Sequence, residues 1–355
     1  MTLARHFTGG RDYLAACTLG LPPRATVAAL TADLDAAASG HPDIAAASRA
    51  VEDARRSYAR LVHAPTSDVA IAAQTSVAVS LIAASVPDGA EVLCAAGDFA
   101  SLVAPFAQAG RGVRLRCAPL EHLAEEITAD TWLVAFSLVQ SATGEVADAA
   151  AIVAAAARTA TRTLCDLTQA AGWLPVDATV FDATVCHAYK WLCAPRGVAF
   201  LTLSPGFAAR LRPVQAGWYS GHDPWASCYG AEARLAADAR RFDVSPAWQA
   251  FVGAAPALAL FASADADALH AHATQLATRF RAALELTEPV RPSAIVTWPD
   301  AEGTALAQLA ASGITASGRA GRARVAFHVF NDEDDVDRAV SALRAERSPM
   351  LTVVS

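Results

Sequence analysis

A chain of 355 residues that is 54% hydrophobic and 18% charged carries enough apolar material for roughly two cored domains and is too apolar to be disordered. Its net charge of −7 and pI near 5.7 leave no basic surplus to neutralise a phosphate backbone, which sets nucleic acid aside and favours a small-molecule partner. The seven cysteines (Cys17, Cys94, Cys117, Cys165, Cys186, Cys193 and Cys228) form no C-x-x-C pair that would suggest zinc or dithiol chemistry, and read mostly as small buried hydrophobes.

The amino-terminal stretch MTLARHFTGGRDY has no apolar run of the kind a secretory leader needs, so the expected compartment is the cytoplasm. Helices are predicted over 24–38 and 43–62. From residue 69 onward short β-rich runs alternate with alanine-rich helical runs. Strands are predicted at 69–73, 91–95, 113–117, 131–138, 162–166, 181–186 and 198–204, with helices at 76–86, 100–109 and 146–159 between them. That alternation predicts an α/β domain with a mostly parallel sheet in three layers. Beyond residue 250 the pattern gives one long helix, 248–283, strands near 293–297 and 323–329, and a closing helix at 332–346, hence a second, smaller α/β unit. The expected division is an N-terminal segment 1–20, a large domain 21–250, and an interdomain helix with a small C-terminal domain, 251–355.

Two uncharged stretches, 69–87 and 244–264, are long enough to raise the question of a membrane. The first contains Gln74-Thr75-Ser76 and the second Pro246 and Pro256, so both are read as buried core and no membrane is expected. Neither G-x-G-x-x-G after the first strand nor G-x-x-x-x-G-K-[ST] occurs, which removes the dinucleotide and P-loop fingerprints.

One count is anomalous. Of 28 basic residues a single one, Lys190, is lysine. Arginine replaces lysine wherever charge suffices, but it does not shed its proton to act as an amine nucleophile. A surviving lysine therefore points to amine chemistry such as a Schiff base. Lys190 sits in FDATVCHAYKWLCAPRGVAFLTLS, between two apolar strands and beside a turn marked by Trp191, Pro195 and Gly197; desolvation there would lower its pKa. Asp166, in RTLCDLTQAAGWLPV, ends another apolar strand, with Gln169 a short turn later, facing the crevice where open α/β sheets bind ligands. The run VAIAAQTSVAVSLIA reads as strand, polar turn and helix, placing Gln74, Thr75 and Ser76 at a helix N-terminus that favours an anion. His270 and His272, two apart on a helix, point to different faces and are expected to be solvated rather than ligating.

These pieces resemble, in kind and in order, the class V aminotransferase family of pyridoxal-phosphate (PLP) enzymes of fold type I, which includes cysteine desulfurases, kynureninases and isopenicillin N epimerases. The matching segments are YLAACTLGLPP, AAQTSVAVSLIA, AAGDFASLVAPF, FSLVQSATGEVAD, CDLTQAAGWLPVDA, HAYKWLCAPRGVAFL, RRFDVSPAW and GRARVAFHVFNDEDDVD. The resemblance implies that Lys190 carries the cofactor as a Schiff base and that Asp166 pairs with the protonated pyridine nitrogen, keeping the ring an electron sink. It places Phe99 over the pyridine face. Gln169 corresponds to the desulfurase-like glutamine near the phenolic oxygen, where kynureninases usually have histidine. Thr75, Ser76, His187 and Tyr189 correspond to phosphate ligands, and Ser245 to a residue reaching the phosphate from a second subunit, which implies a homodimer. Arg324 corresponds to the arginine that grips the α-carboxylate of a small amino-acid substrate, with Gln140, Trp218 and His222 lining the pocket. The loop before Arg324, LAASGITASGRAGRA, lacks the reactive cysteine of a desulfurase, and KWLCAPRGVAF resembles the carbon–sulfur lyase branch. The implied reaction is a side-chain lyase, with transaminase or epimerase as the alternatives within the family and a non-catalytic PLP-binding regulatory module as the alternative outside enzymology.

Overall fold

The computed structural model describes residues 3–232 and 234–344. Residues 1–2 of the expected amino-terminal segment, the end of the expected C-terminal domain and the last two residues of the predicted closing helix, 345–346, lie outside the described residues. Helix α1 (Arg24–Ala38) follows Pro23, and α2 (Ile44–Leu61) starts at Asp43, whose side chain accepts a hydrogen bond from the Ala46 amide at 2.8 Å. There follow β1 (Val69–Ala72), α3 (Thr75–Ser85), β2 (Glu91–Ala95), α4 (Ala100–Ala107), β3 (Arg114–Ala118), β4 (Thr131–Ser137), α5 (Ala149–Thr159), β5 (Arg162–Asp166), β6 (Ala183–His187), β7 (Ala199–Leu203) and α6 (Pro205–Ala208). The predicted strands fall within two residues of these bounds. Helix α5 begins three residues later than expected because Asp148 caps it, accepting from the Ala151 amide at 3.0 Å.

The large sheet runs β1-β7-β6-β5-β4-β2-β3. Strands β2 to β6 pair in parallel, and β7 lies antiparallel to both β6 and β1. This refines the expectation of a mostly parallel sheet and has a geometric consequence. Because β7 is reversed against both neighbours, β1 points the same way as β6, so the C-terminal ends of β1, β2, β4, β5 and β6 all reach one edge. The turns that carry Thr75, Phe99, Ser141, Asp166 and Lys190 therefore open on the same crevice. Helix α2 and α5 cover one face and α3, α4 and α6 the other, giving the three layers; β5, β6 and β7 are consequently apolar on both sides.

The predicted long helix 248–283 is two helices, α7 (Trp248–Ala262) and α8 (Ala266–Ala283), meeting at 90°. The break has a local cause: Ser263 Oγ donates to the Leu260 carbonyl, and Asp265 caps the new helix by accepting from the Ala268 amide at 3.1 Å. Among the described residues no single helix is long and apolar enough to cross a membrane; the bent α7–α8 pair has the composition, but Phe251, Ala254, Leu258, Phe261 and Phe280 are spent on the protein core.

Strand β8 (Ile295–Pro299), α9 (Thr304–Ala311), β9 (Ser317–Arg319), β10 (Arg322–Ala326) and α10 (Glu333–Arg344) complete the fold. The small antiparallel sheet, β8-β10-β9, closes over its own core of Leu14, Phe280, Val296, Leu309, Val325, Phe327 and Val336. Strand β10 stops at Ala326, short of the predicted 329, and neither α9 nor β9 was anticipated. The amino-terminal segment joins the two sheets: Ala15 bridges to Ala326, while the Gly20 amide donates to the Tyr189 carbonyl at 2.9 Å.

Candidate active site

The crevice at the shared strand edge holds eight of the residues singled out in the sequence: Gln74, Thr75, Phe99, Asp166, Gln169, His187, Tyr189 and Lys190. Lys190 follows β6 on a tight turn that is stitched by Cys193 N to Lys190 O at 3.0 Å and Ala194 N to Ala188 O at 3.1 Å. Its side chain is buried, with Nζ 5.3 Å from the Phe99 ring centroid and 5.6 Å from that of Tyr189. Burial pushes the amine down to about 8, against the opposing pull of Asp166. Asp166 ends β5 and accepts from the Thr168 amide at 2.8 Å; burial pushes its carboxyl up to about 6, with Asp98 adding to the rise and Lys190 and Thr168 opposing it. His187 is held neutral, pushed down to about 4 by burial and by the Arg196 and Lys190 charges, and its Nε2 is buried without a hydrogen-bond partner.

Gln169 is fixed on both ends of its amide. Nε2 donates to the Cys17 carbonyl at 2.9 Å and to Ser141 Oγ at 3.1 Å, and Oε1 accepts from Trp191 Nε1 at 2.8 Å. Ser141 in turn receives Arg324, whose Nη1 donates to the Ser141 carbonyl and, at 3.2 Å, to its hydroxyl. Arg324 also donates to Thr18 Oγ1 at 2.8 Å and Ser317 Oγ at 3.2 Å. It is fully buried, and among the described residues its hydrogen-bond partners are all neutral oxygens. Desolvation lowers its pKa. A buried guanidinium without a carboxylate is poorly compensated until an anion arrives.

The other predicted residues lie elsewhere. Ser76 is half-buried behind Thr75 on α3. Gln140 is buried beside Asp98 with its Nε2 lacking a well-formed hydrogen bond. Trp218, His222 and Ser245 do not line the crevice: Trp218 Nε1 donates to Ser245 Oγ at 3.2 Å, in a patch with Tyr219, Trp225 and Trp248, while His222 is exposed. The expected solvation of His270 and His272 is corrected. Helix α8 packs His270 onto the Trp173 ring at 5.7 Å, and His272 Nε2 meets the Asn331 carbonyl at 3.1 Å. Five cysteines are buried as expected, whereas Cys117 is exposed and Cys228 half-exposed.

Five lining residues were not singled out as site residues from the sequence: Ser101, Ser137, Ser141, Thr168 and Arg196. Serine and threonine are too common to stand out. Arg196 had a visible signal, its place in the turn after the single lysine, but no role followed from it.

The donor set fits PLP. A buried amine and a buried carboxylate face one crevice, an aromatic ring flanks the amine, and an orphaned imidazole nitrogen lines the wall beside the N-terminus of α3. Such an amine and acid at the strand ends of an open α/β sheet define an enzyme of the α/β class. The class V aminotransferase model matches residues 23–339, and the chain belongs to that family of pyridoxal-phosphate-dependent enzymes. It is similar to isopenicillin N epimerase of Streptomyces clavuligerus, 33% identical over 46% of each chain, and to a probable cysteine desulfurase of Aeropyrum pernix, 32% identical over 48% of this chain and 46% of that one. These matches thus span about half the length of those relatives. Among solved structures the cystine C-S lyase C-DES, in complex with its product cysteine persulfide, superposes with a TM-score of 0.84 at 21% identity, covering 94% of this chain and 97% of that one. That likeness establishes the shared fold.

Proposed function

We propose that the protein is a lyase that cleaves a side-chain bond, of carbon–sulfur type, in a small amino acid, acting as a homodimer. The single observation that carries the reading is the buried amine of Lys190 facing one crevice with Asp166 and with Ser141 and Gln169, the two residues that tie the crevice to a buried arginine lacking a carboxylate partner.

Bound in that crevice, PLP supplies an aldehyde that captures amino groups and a ring that withdraws the electrons left at the α-carbon. The protein's residues set up everything around it. Lys190, whose amine gives up its proton far more readily than a solvated lysine, is the group that would anchor the cofactor and, once free of it, would carry the proton away from the substrate α-carbon. Asp166 holds a proton at the ring nitrogen. Arg324 takes the substrate α-carboxylate with a planar fork, and Ser141 and Thr18 keep that fork oriented. Phe99, 5.3 Å from Nζ, limits water beside the amine and would supply an aromatic face for the cofactor ring. The stretch 310–324 has no cysteine to accept sulfur, which favours release of the leaving group over transfer to the protein. In the dimer we assign Ser245 and the tryptophan patch of Trp218, with His222, to the surface that meets the second copy. We also propose 1–20, 21–250 and 251–355 as the working units of the chain.

The purified, cofactor-loaded protein is expected to be yellow, borohydride to fix the cofactor on Lys190, and Lys190→Ala to lose that adduct by mass spectrometry. A panel of amino acids then separates reactions. Pyruvate with sulfide or ammonia supports the lyase; keto acid formed only with an added acceptor supports a transaminase, and loss of optical activity an epimerase. A loaded protein whose absorbance responds to no amino acid would be a binding module.

A further inference from the structure

Arg196 is the one residue of the crevice whose charge nothing in the reading above uses. It sits on the turn six residues beyond Lys190, exposed at the mouth, and lines the same cavity as Gln74, Thr75 and His187. Among the described residues it makes no ion pair and no hydrogen bond to a carboxylate. Its guanidinium carbon lies 4.4 Å from the Tyr189 ring centroid, and that ring meets the His187 ring edge-on at 4.4 Å. The stack Arg196–Tyr189–His187 thus ends at an imidazole whose buried Nε2 has no partner, beside the N-terminus of the eleven-residue helix α3.

A charge count makes the arrangement informative. A phosphate monoester carries close to two negative charges at neutral pH, because its second pKa is about 6. Asp166, which lines the crevice, and Asp98, close enough to act on it, repel it. Lys190 is committed to the aldehyde, Arg324 is turned to Ser141, Thr18 and Ser317, and Thr75, Tyr189 and neutral His187 offer dipoles only. Among the described residues that line the crevice, Arg196 alone brings an uncommitted full positive charge to the α3 end.

We infer that Arg196 is the counter-charge for the phosphate of the cofactor, held in place by the face of Tyr189. The inference rests on the crevice being the PLP site and adds a residue and a role to it. A guanidinium suits the task because its fork matches phosphate oxygens while its flat face stacks on the ring.

The test compares PLP with pyridoxal, which has the aldehyde but no phosphate. Apo-protein is titrated with each, following absorbance of the lysine adduct, for wild type, Arg196→Lys and Arg196→Gln. PLP affinity is expected to fall about 10- to 100-fold in Arg196→Gln, with Arg196→Lys in between, while pyridoxal affinity changes less than about threefold. Inorganic phosphate should compete with PLP in wild type and far less in Arg196→Gln. If PLP and pyridoxal weaken together, or neither weakens, the inference is overturned. Should Arg196→Gln not fold, by circular dichroism, the ratio of the two ligands in Arg196→Lys against wild type decides the matter. Failure of wild type to form an adduct with either aldehyde would instead overturn the cofactor-site reading.

Discussion

Burial at the two central ionisable residues shifts each toward its neutral form, and each shift has a measurable sign. For Lys190, with the amine brought down to about 8, the free-base fraction rises from about a tenth at pH 7 to about nine tenths at pH 9. The rate at which apo-protein attaches PLP, followed by stopped-flow absorbance, should therefore climb with a midpoint near pH 8; a midpoint above 10 would mean that the amine is solvated. Asp166 runs the other way. Its carboxyl titrates near 6 when folded and near 4 when unfolded, so the folded state binds its proton more tightly. Stability from this group is lost as pH rises from about 4 through about 6, and the penalty is complete above that. Asp166→Asn keeps the acceptor for the Thr168 amide and removes the charge. Apo Asp166→Asn is expected to be more stable than wild type by about 1–3 kcal/mol at pH 7.5 in urea titration, the advantage vanishing below pH 4, while turnover falls. At this scale Lys190 was legible in the sequence as the single lysine, Asp166 because it ends an apolar strand, and Gln169 because it follows that strand by one short turn. Ser141 and Thr168 were not, because their importance is a matter of which neighbours the fold brings to them.

Among the elements, the turn between β6 and β7 carries the chemistry and is clamped from outside. An added β-carbon at Gly20 would fall on the Lys190 carbonyl oxygen and lie 2.9 Å from Cys193 Cα, both backbone atoms that cannot swing aside. At Gly172, with φ +110°, the Trp191 carbonyl is the obstacle, at 2.7 Å. Gly20→Ala should consequently displace the lysine turn, destabilise the protein by about 1–3 kcal/mol or more, and weaken PLP binding; an unchanged absorbance titration would show that the turn is not held there. The strands of the large sheet were legible to within two residues, and for β5, β6 and β7 the reason is two-sided burial, which leaves continuous apolar runs ended by polar turns. The α7–α8 corner was not. Ala-Ser-Ala-Asp-Ala-Asp offers helix-compatible residues throughout, and only the capping geometry of Asp265 reveals the 90° change of direction. Likewise β9 is three residues long and pairs only because β10 is there to receive it.

For the molecule as a whole, the exposed aromatic patch calls for a cover. Trp225 is 58% exposed, 5.2 Å from Trp218 and 6.4 Å from Trp248, with Tyr229 95% exposed nearby in sequence. Clustered exposed aromatics are characteristic of interfaces. Trp225→Ser is expected to weaken the proposed dimer by at least about tenfold in sedimentation velocity; a monomeric wild type, or a dimer indifferent to the change, would assign the patch another role.

The chain of contacts between the two sheets also closes on itself. Val329 N donates to His328 Nδ1 at 2.7 Å, so Nε2 carries the proton and donates to the Trp191 carbonyl at 2.8 Å. From Trp191 the path runs through Gln169 and Ser141 to Arg324, which lies on the same strand and turn as His328. A laboratory that randomised Ser141 to broaden substrate choice would therefore recover variants whose colour had shifted along with their selectivity. Tuning one end of the pocket separately from the other would require compensating changes at Gln169 or Trp191, and a search limited to single substitutions would overlook such pairs.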